Sequence, residues 1–248
     1  MRKIMFDNFP KTRQELPLEY IKIYENHIRE NRDGKTAVTS LSQRMEGWLH
    51  KKVAIGSGEN KSTLEIGAGT LNQLQYESVG AEYDVIEPFK ALYEDSTEKN
   101  KVRKFFDLIE EVPLKSRYNR IISCATFEHI ENLPYVVSKS GLLLCEKGQL
   151  RVAVPTEGGF LWKLSYTMTT GVEFWIKHKL NYSVIMKYDH INTIDEIQSV
   201  IKWFFRDVST QRMGFGKHLS FYTFFCAETP DINRCNEYIT SQCKDNNG

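Results

Sequence analysis

The stretch STLEIGAGTLNQL, Ser62 to Leu74, decides how this chain folds. TLEI reads as a short strand, Gly67 and Gly69 follow one residue apart, and a helix-like pattern comes after them. Glycines lack side chains, so the backbone can turn sharply at a strand end and approach a ligand closely. Strand, glycine turn and helix together make a nucleotide platform in an open α/β sheet, where ligands bind outside the carboxyl ends of the strands. The unit alone does not name the nucleotide.

Beyond the turn, the apolar runs YDVIE, KVRKFF, NRIISCA and QLRVAV alternate with helix-like segments, notably FKALYED and LPYVVSKSGLLLCEK. That alternation is the signature of parallel strands joined by crossover helices. Thr193 to Phe205 reads as a helix opened by a T-x-x-E capping box, Thr193 with Glu196, and striped by Ile194, Ile197, Val200, Ile201 and Phe204. RDVSTQRMGF and LSFYTFFCAE read as two strands joined by a turn around Gly214 to Lys217, a closing antiparallel hairpin. The expectation is an α/β fold: a doubly wound, mostly parallel, seven-stranded Rossmann-like sheet with a C-terminal antiparallel hairpin, N-terminal helices and a lid insertion.

Upstream, helical patterns run from about Pro17, with Tyr20, Tyr24 and Ile28 four apart, and after Ser40, with Leu41, Met45, Trp48 and Leu49. Residues 1–58 are therefore assigned to an N-terminal helical cap and 59–248 to the core, with 156–192 as a lid insertion and a frayed polar tail from about 229. At 248 residues and 41% hydrophobic content, a sizeable core is expected. Basic and acidic side chains number 33 and 32, so no bulk positive charge draws nucleic acid. Cys124, Cys145, Cys226, Cys235 and Cys243 are scattered without a C-x-x-C pair, which suggests neither a disulfide framework nor a zinc site, and makes reducing cytoplasm the expected location. MRKIMFDNFP lacks an apolar signal core, and no apolar run approaches the roughly 20 residues of a membrane helix. His27, His50, His178 and His218 are not at metal-ligand spacing and read as surface or packing residues; no metal is expected.

Carboxylates close the first three strands: Glu65, Glu87 and Asp107, spaced by 22 and 20 residues, one strand-helix unit each. Glu87 can accept hydrogen bonds from ribose hydroxyls of either NAD or S-adenosylmethionine. Glu65 separates the two. A dinucleotide would set a pyrophosphate at the glycine turn, where a carboxylate repels it unless turned away, whereas an ammonium and a sulfonium are attracted. G-x-G-x-x-G also fails at its last place, where Asn72 stands. Asp107 fits as an acceptor for an adenine amino group, with Phe106 and Leu108 beside the ring.

These motifs resemble those of class I S-adenosylmethionine-dependent methyltransferases. LEIGAGT (Leu64 to Thr70) is similar to the glycine-rich first motif, VIEP (Val85 to Pro88) to the acidic end of the second strand, FFDL (Phe105 to Leu108) to the third and ISCATFEHIENL (Ile122 to Leu133) to the fourth. The resemblance spans Ser62 to Pro155 and extends to the final hairpin, which fits a reversed last strand. Leu71 departs from it, standing where many members have a third glycine. The resemblance implies S-adenosylmethionine as cofactor, held by Glu65, Gly67, Ala68, Gly69, Glu87, Pro88, Phe106, Asp107, Leu108, Cys124 and Ala125. More loosely, the N-terminal helices and VPTEGG look like methyltransferases of bacterial surface-polysaccharide and sugar pathways, which implies a small acceptor such as a sugar hydroxyl.

A sulfonium is already a strong electrophile, so the protein mainly positions the reactants and excludes water. A hydroxyl acceptor also needs a base, for which His129, His190 and Glu157 are the candidates by position. Against these stand helix capping by Glu128 and a structural role for His129. The aromatic stretch Phe160, Trp162, Tyr166, Phe174, Trp175 and Tyr182, interleaved with Lys163, Lys177 and Lys179, suits a substrate lid, internal packing or a homo-oligomer contact. The rival functions are a small-molecule N-methyltransferase, a non-catalytic S-adenosylmethionine-binding module and an NAD-dependent oxidoreductase.

Overall fold

The computed structural model describes residues 6–21, 23, 40–78, 82–156 and 172–245. Its strands are β1 (Thr63–Ile66), β2 (Tyr83–Ile86), β3 (Lys104–Phe106), β4 (Tyr118–Cys124), β5 (Leu144–Pro155), β6 (Phe205–Phe215) and β7 (Leu219–Pro230). They form one sheet in the order β3-β2-β1-β4-β5-β7-β6. β1 to β5 are mutually parallel, and β7 runs antiparallel between β5 and β6. The chain winds outward from β1 to β3, then crosses back to β4, so β1 and β4 meet at the switch point where open sheets bind ligands.

Successive strand residues point to opposite faces, and both faces here are covered. Ile121, Val152, Val154 and Phe225 pack with α2 (Leu133–Leu143), α5 (Ile194–Phe204) and α6 (Ile232–Asp245). Their neighbours Ile122, Ala153 and Phe224 pack with Leu49 and Val53 of α1 (Ser40–Ala54). The capping box of α5 forms as the sequence implies: Thr193 Oγ1 accepts from Glu196 N at 3.4 Å, and Glu196 Oε2 accepts from Thr193 N at 2.8 Å. The whole α5 stripe is buried.

Four elements differ from their sequence reading. The helix expected after Gly69 is a short 3₁₀ turn, Asn72–Gln75. FKALYED forms no crossover α-helix; the β2–β3 link is two 3₁₀ turns, Lys90–Leu92 and Thr97–Lys101. Ser96 Oγ accepts from Glu98 N at 3.3 Å, a local bond that competes with continued helix. LPYVVSKSGLLLCEK is helical only to Leu143, because Leu144 is already paired with Tyr118 and opens β5. The tail does not fray from 229: Ile232–Asp245 is α6, with Cys235 fully buried and Tyr238 edge-on to Phe6 and Phe204. Its apolar residues recur at helical spacing and find a partner in α2, which a polar composition conceals.

The residues assigned to one N-terminal cap serve two places. α1 covers the sheet, whereas Leu16, Tyr20 and Ile23 pack with Phe174, Leu180, Tyr182, Val184 and Ile185 of the lid region, around α3 (Val172–His178) and α4 (Tyr182–Asp189). Asn181 N donates to Tyr20 Oη at 3.0 Å. Of the aromatic stretch, Phe174 and Tyr182 are thus internal, and Trp175 is exposed with Lys179 Nζ 4.4 Å from its ring centre. Glu157, Phe160, Trp162, Lys163 and Tyr166 lie outside the described residues, as does His27. His50 is buried and bonded to Gln73, His178 packs on Phe174, and His218 is exposed. No described helix is long and apolar enough to cross a membrane.

Glu65 lies within β1 and is only 2% exposed, its Oε2 accepting from Tyr83 Oη at 2.8 Å. Burial pushes its carboxyl up to about 7, against the Tyr83 hydrogen bond, which favours the anion. The charge contrast drawn from Glu65 in the sequence therefore does not discriminate between ligands, because this carboxyl is satisfied inside the protein. Since its folded pKa lies above the unfolded value, Glu65 contributes stability that is complete below about pH 4.5 and is lost as pH rises through about 7. Urea denaturation from pH 5 to 8.5 is expected to show this decline, and Glu65→Gln to flatten it by about 1–3 kcal/mol.

Where α2 meets α6, a Cβ on Gly141 would stand 2.8 Å from Cys235 Sγ and 3.2 Å from Pro230 Cβ. Gly141→Val is expected to lower stability by about 1–3 kcal/mol, and Cys235→Ala to cost less in that background than in the native chain. Additive losses in a double-mutant cycle would show that this contact does not set the spacing.

Candidate active site

The turn after β1 is held by hydrogen bonds on both sides of the switch point. Gly67 N donates to Ile86 O at 2.8 Å, and Thr126 Oγ1 donates to Gly67 O at 3.2 Å. Gly67 has φ 70°, and a Cβ there would stand 2.2 Å from Thr126 Cγ2, so glycine is required by both backbone and space. Gly69, at φ 52°, differs: a Cβ would meet nothing within 4 Å, and the backbone faces open space. Leu71 takes the same left-handed region at φ 67° with its side chain fully buried. Its core contacts, with Leu74, Val85 and Tyr93 in the same cluster, offset the strain.

Glu87, next to β2, turns back onto this loop. Oε2 accepts from Gly69 N and Oε1 from Phe89 N, each at 2.9 Å. Each oxygen keeps a second lone pair for a ligand hydroxyl. Beyond β3, Asp107 and Leu108 are exposed, the latter at 54%, while Phe106 packs partly against the core. Phe89, after β2, is 62% exposed. Cys124 ends β4 on the α1 face, where burial raises its thiol pKa and keeps it neutral. Ala125 follows at φ 50°, its N–H donating to Ala153 O at 2.7 Å.

The two candidate histidines, 61 residues apart in sequence, are brought into contact, with ring centres 4.7 Å apart and planes at 87°. Backbone bonds hold their segments together: Ile191 N and Asn192 N both donate to Glu128 O, at 2.9 and 3.0 Å. Asn192 Nδ2 also donates to Phe127 O and Ile130 O, at 2.9 and 2.7 Å. His129 Nδ1 lies 2.8 Å from Asp189 O. A carbonyl only accepts, so Nδ1 carries a proton and Nε2 keeps the lone pair of the neutral ring. Nε2 stands 3.8 Å from Oε1 of the buried Glu128.

His129, Asp189 and His190 also present ligand-type atoms within 4.8 Å of one another. The Arg13 guanidinium, however, stands 3.8 Å from the Asp189 carboxylate and already supplies a positive charge there. Phe89, Thr126, Asp189 and Arg13 are absent from the set read in the sequence. Phe89 directly follows the acidic VIEP motif and Thr126 lies inside the fourth, so position gave a signal. Arg13 gave none, because its partners are more than 100 residues away.

No protein-family model and no curated protein sequence matches the chain. Solved structures do. One is an S-adenosylmethionine-dependent methyltransferase of Thermotoga maritima, described as a possible histamine N-methyltransferase, at TM-score 0.55 and 14% identity, covering 84% of this chain and 97% of that one. Another is the plantazolicin methyltransferase BpumL with S-adenosylhomocysteine, at 0.55 and 12%, covering 85% and 92%. A third is an O-methyltransferase family protein of Burkholderia thailandensis, at 0.52 and 15%, covering 92% and 70%. At these identities the likeness is one of fold: the chain is built on the seven-stranded Rossmann-like architecture of methyltransferases.

Proposed function

We propose that this chain is an S-adenosylmethionine-dependent methyltransferase acting on a hydroxyl of a small acceptor, a sugar or similar metabolite. The observation that carries the reading is the strand order with β7 reversed between β5 and β6, set behind a glycine turn that Glu87 closes. Dinucleotide folds run 3-2-1-4-5-6 without that reversed strand.

The residues present fit the cofactor. The open side of Gly69 gives room beside the turn, Glu87 has lone pairs for ribose hydroxyls, and Asp107 can accept from the adenine amino group between the exposed Leu108 and Phe89. In this reading Gly67, Ala68, Pro88, Phe106, Cys124 and Ala125, at the ends of β1, β2, β3 and β4, line the cofactor. Glu65, bonded to Tyr83 Oη, ties β1 to β2. When bound, S-adenosylmethionine supplies a sulfonium-activated methyl group. The chain's own contribution is to orient the acceptor, exclude water and take the hydroxyl proton at His129 Nε2, whose lone pair the Asp189 carbonyl preserves. His190 packs on that ring and restrains it. Glu157 stays in the proposal as a base by position after β5. The exposed Trp175 offers an aromatic face of the kind that suits a sugar. Unpaired thiols at Cys124, Cys145, Cys226 and Cys235 agree with a cytoplasmic setting.

An amine acceptor is the second reading, favoured by the buried Glu128 carboxyl 3.8 Å from His129 Nε2, where a cationic group would be attracted. His129→Ala separates the two. With a hydroxyl acceptor it is expected to lower kcat roughly 10²- to 10⁴-fold and leave S-adenosylhomocysteine affinity within about twofold; with an amine, turnover stays nearly intact. Calorimetry should show Glu87→Ala weakening S-adenosylhomocysteine binding about tenfold, on the order of 1–2 kcal/mol. An unchanged Kd would remove Glu87 from the site.

A further inference from the structure

The N-terminal segment 6–16 contributes no strand; Phe6 and Phe9 pack against the main core, and its two central cations, Lys11 and Arg13, reach the site. Arg13 Nη2 donates to His129 O at 2.8 Å, and Nη1 to Tyr188 O and Asp189 O at 3.1 and 3.2 Å. Its Nε stands 3.4 Å from Glu131 Oε1, and the guanidinium lies 5.7 Å from the centre of the Tyr188 ring. Lys11 N donates to Glu131 O at 2.9 Å, and Lys11 Nζ donates to Ile191 O and Glu196 Oε1 at 2.7 and 2.6 Å. Both residues therefore bridge the loop after β4 and the segment that ends the lid, Arg13 through its guanidinium and Lys11 through its backbone N–H and its ammonium.

We propose that residues 6–16 form a strap that completes the methyl-transfer site, with Arg13 as the positioning residue for His129. The inference rests on the reading of His129 as the base. Guanidinium presents five N–H donors in a rigid plane and accepts nothing, so three carbonyls on two segments are fixed relative to one another. One of those carbonyls, Asp189 O, receives both Arg13 Nη1 and His129 Nδ1. Holding that oxygen in place holds the proton on Nδ1 and leaves Nε2 unprotonated toward the acceptor. Lysine cannot reproduce the effect, since its ammonium is a single point of charge. Further along the same segment, Leu16 and Tyr20 pack with Phe174 and Ile185 of the lid helices, so the strap also ties the lid to the base.

The test reads the His129 ring directly. Long-range ¹H–¹⁵N correlation spectra of the full chain, labelled at histidine, are recorded at about pH 8.5, where histidine is ordinarily neutral; the signal missing in His129→Asn assigns the residue. The native chain is expected to show the Nδ1–H form at His129. Arg13→Ala is expected to shift it to the Nε2–H form that an unconstrained histidine side chain prefers, with Arg13→Lys failing to restore Nδ1–H. Turnover of a hydroxyl acceptor should fall roughly 10- to 100-fold in both variants, while S-adenosylhomocysteine affinity stays within about twofold. Nε2–H in the native chain, or undiminished Nδ1–H in a folded Arg13→Ala or Arg13→Lys, overturns the positioning role. If native protein fails to bind S-adenosylhomocysteine, the functional reading falls, and the tautomer spectra still decide the clasp on their own.

Discussion

Two backbone amides, those of Gly69 and Phe89, converge on one carboxylate, Glu87, and this junction fixes the edge of the sheet on which the site is built. It ties the turn after β1 to the turn after β2. On the other side, Thr126 Oγ1 reaches Gly67 O and fills the space a Cβ would take, so the turn after β4 closes on the same loop. Three strand ends are thus locked to one glycine turn by a few hydrogen bonds and one steric contact. Buried hydrogen bonds to a charged acceptor are stronger than neutral ones, which suits a loop that must keep its amides and glycines in place without a ligand to hold them.

Around that rigid edge the chain adds parts that are held differently. The sheet and α2, α5 and α6 share one apolar core, whereas α3 and α4 share a separate small cluster with Tyr20. Polar contacts also join the regions of the two clusters: Lys11 Nζ on Ile191 O, Arg13 Nη2 on His129 O and Asn192 Nδ2 on Phe127 O, beside Phe6 and Phe9 of the N-terminal segment, which pack against the main core.

Local signals carried much of the architecture. The capping box at Thr193 and Glu196 and the five-residue stripe behind it were legible because each rests on neighbours three or four positions apart. The β1, β2, β4 and β5 runs were legible because strands covered on both faces are rich in apolar residues. FKALYED misled because a helix-like composition says nothing of how short a crossover the sheet demands, and the tail misled because α6 owes its order to α2. At the site, Gly67, Gly69 and Glu87 were marked by motif spacing. The direction of the Glu65 side chain was not, since it depends on a tyrosine of the neighbouring strand.

The sequence by itself determined the succession of strands along the chain, the glycine turn with its acidic neighbours and the closing hairpin, which follow from local periodicity and turn chemistry; the place of β7 between β5 and β6 is set by the sheet. Only the tertiary structure decided that His129 and His190 touch, that Asp189 presents its carbonyl to His129, and that Arg13 spans both segments. These contacts join residues between 60 and 176 positions apart. Hydrogen-bond geometry of that kind has no periodic trace in a chain; it exists only once the sheet has brought its carboxyl ends to a common edge.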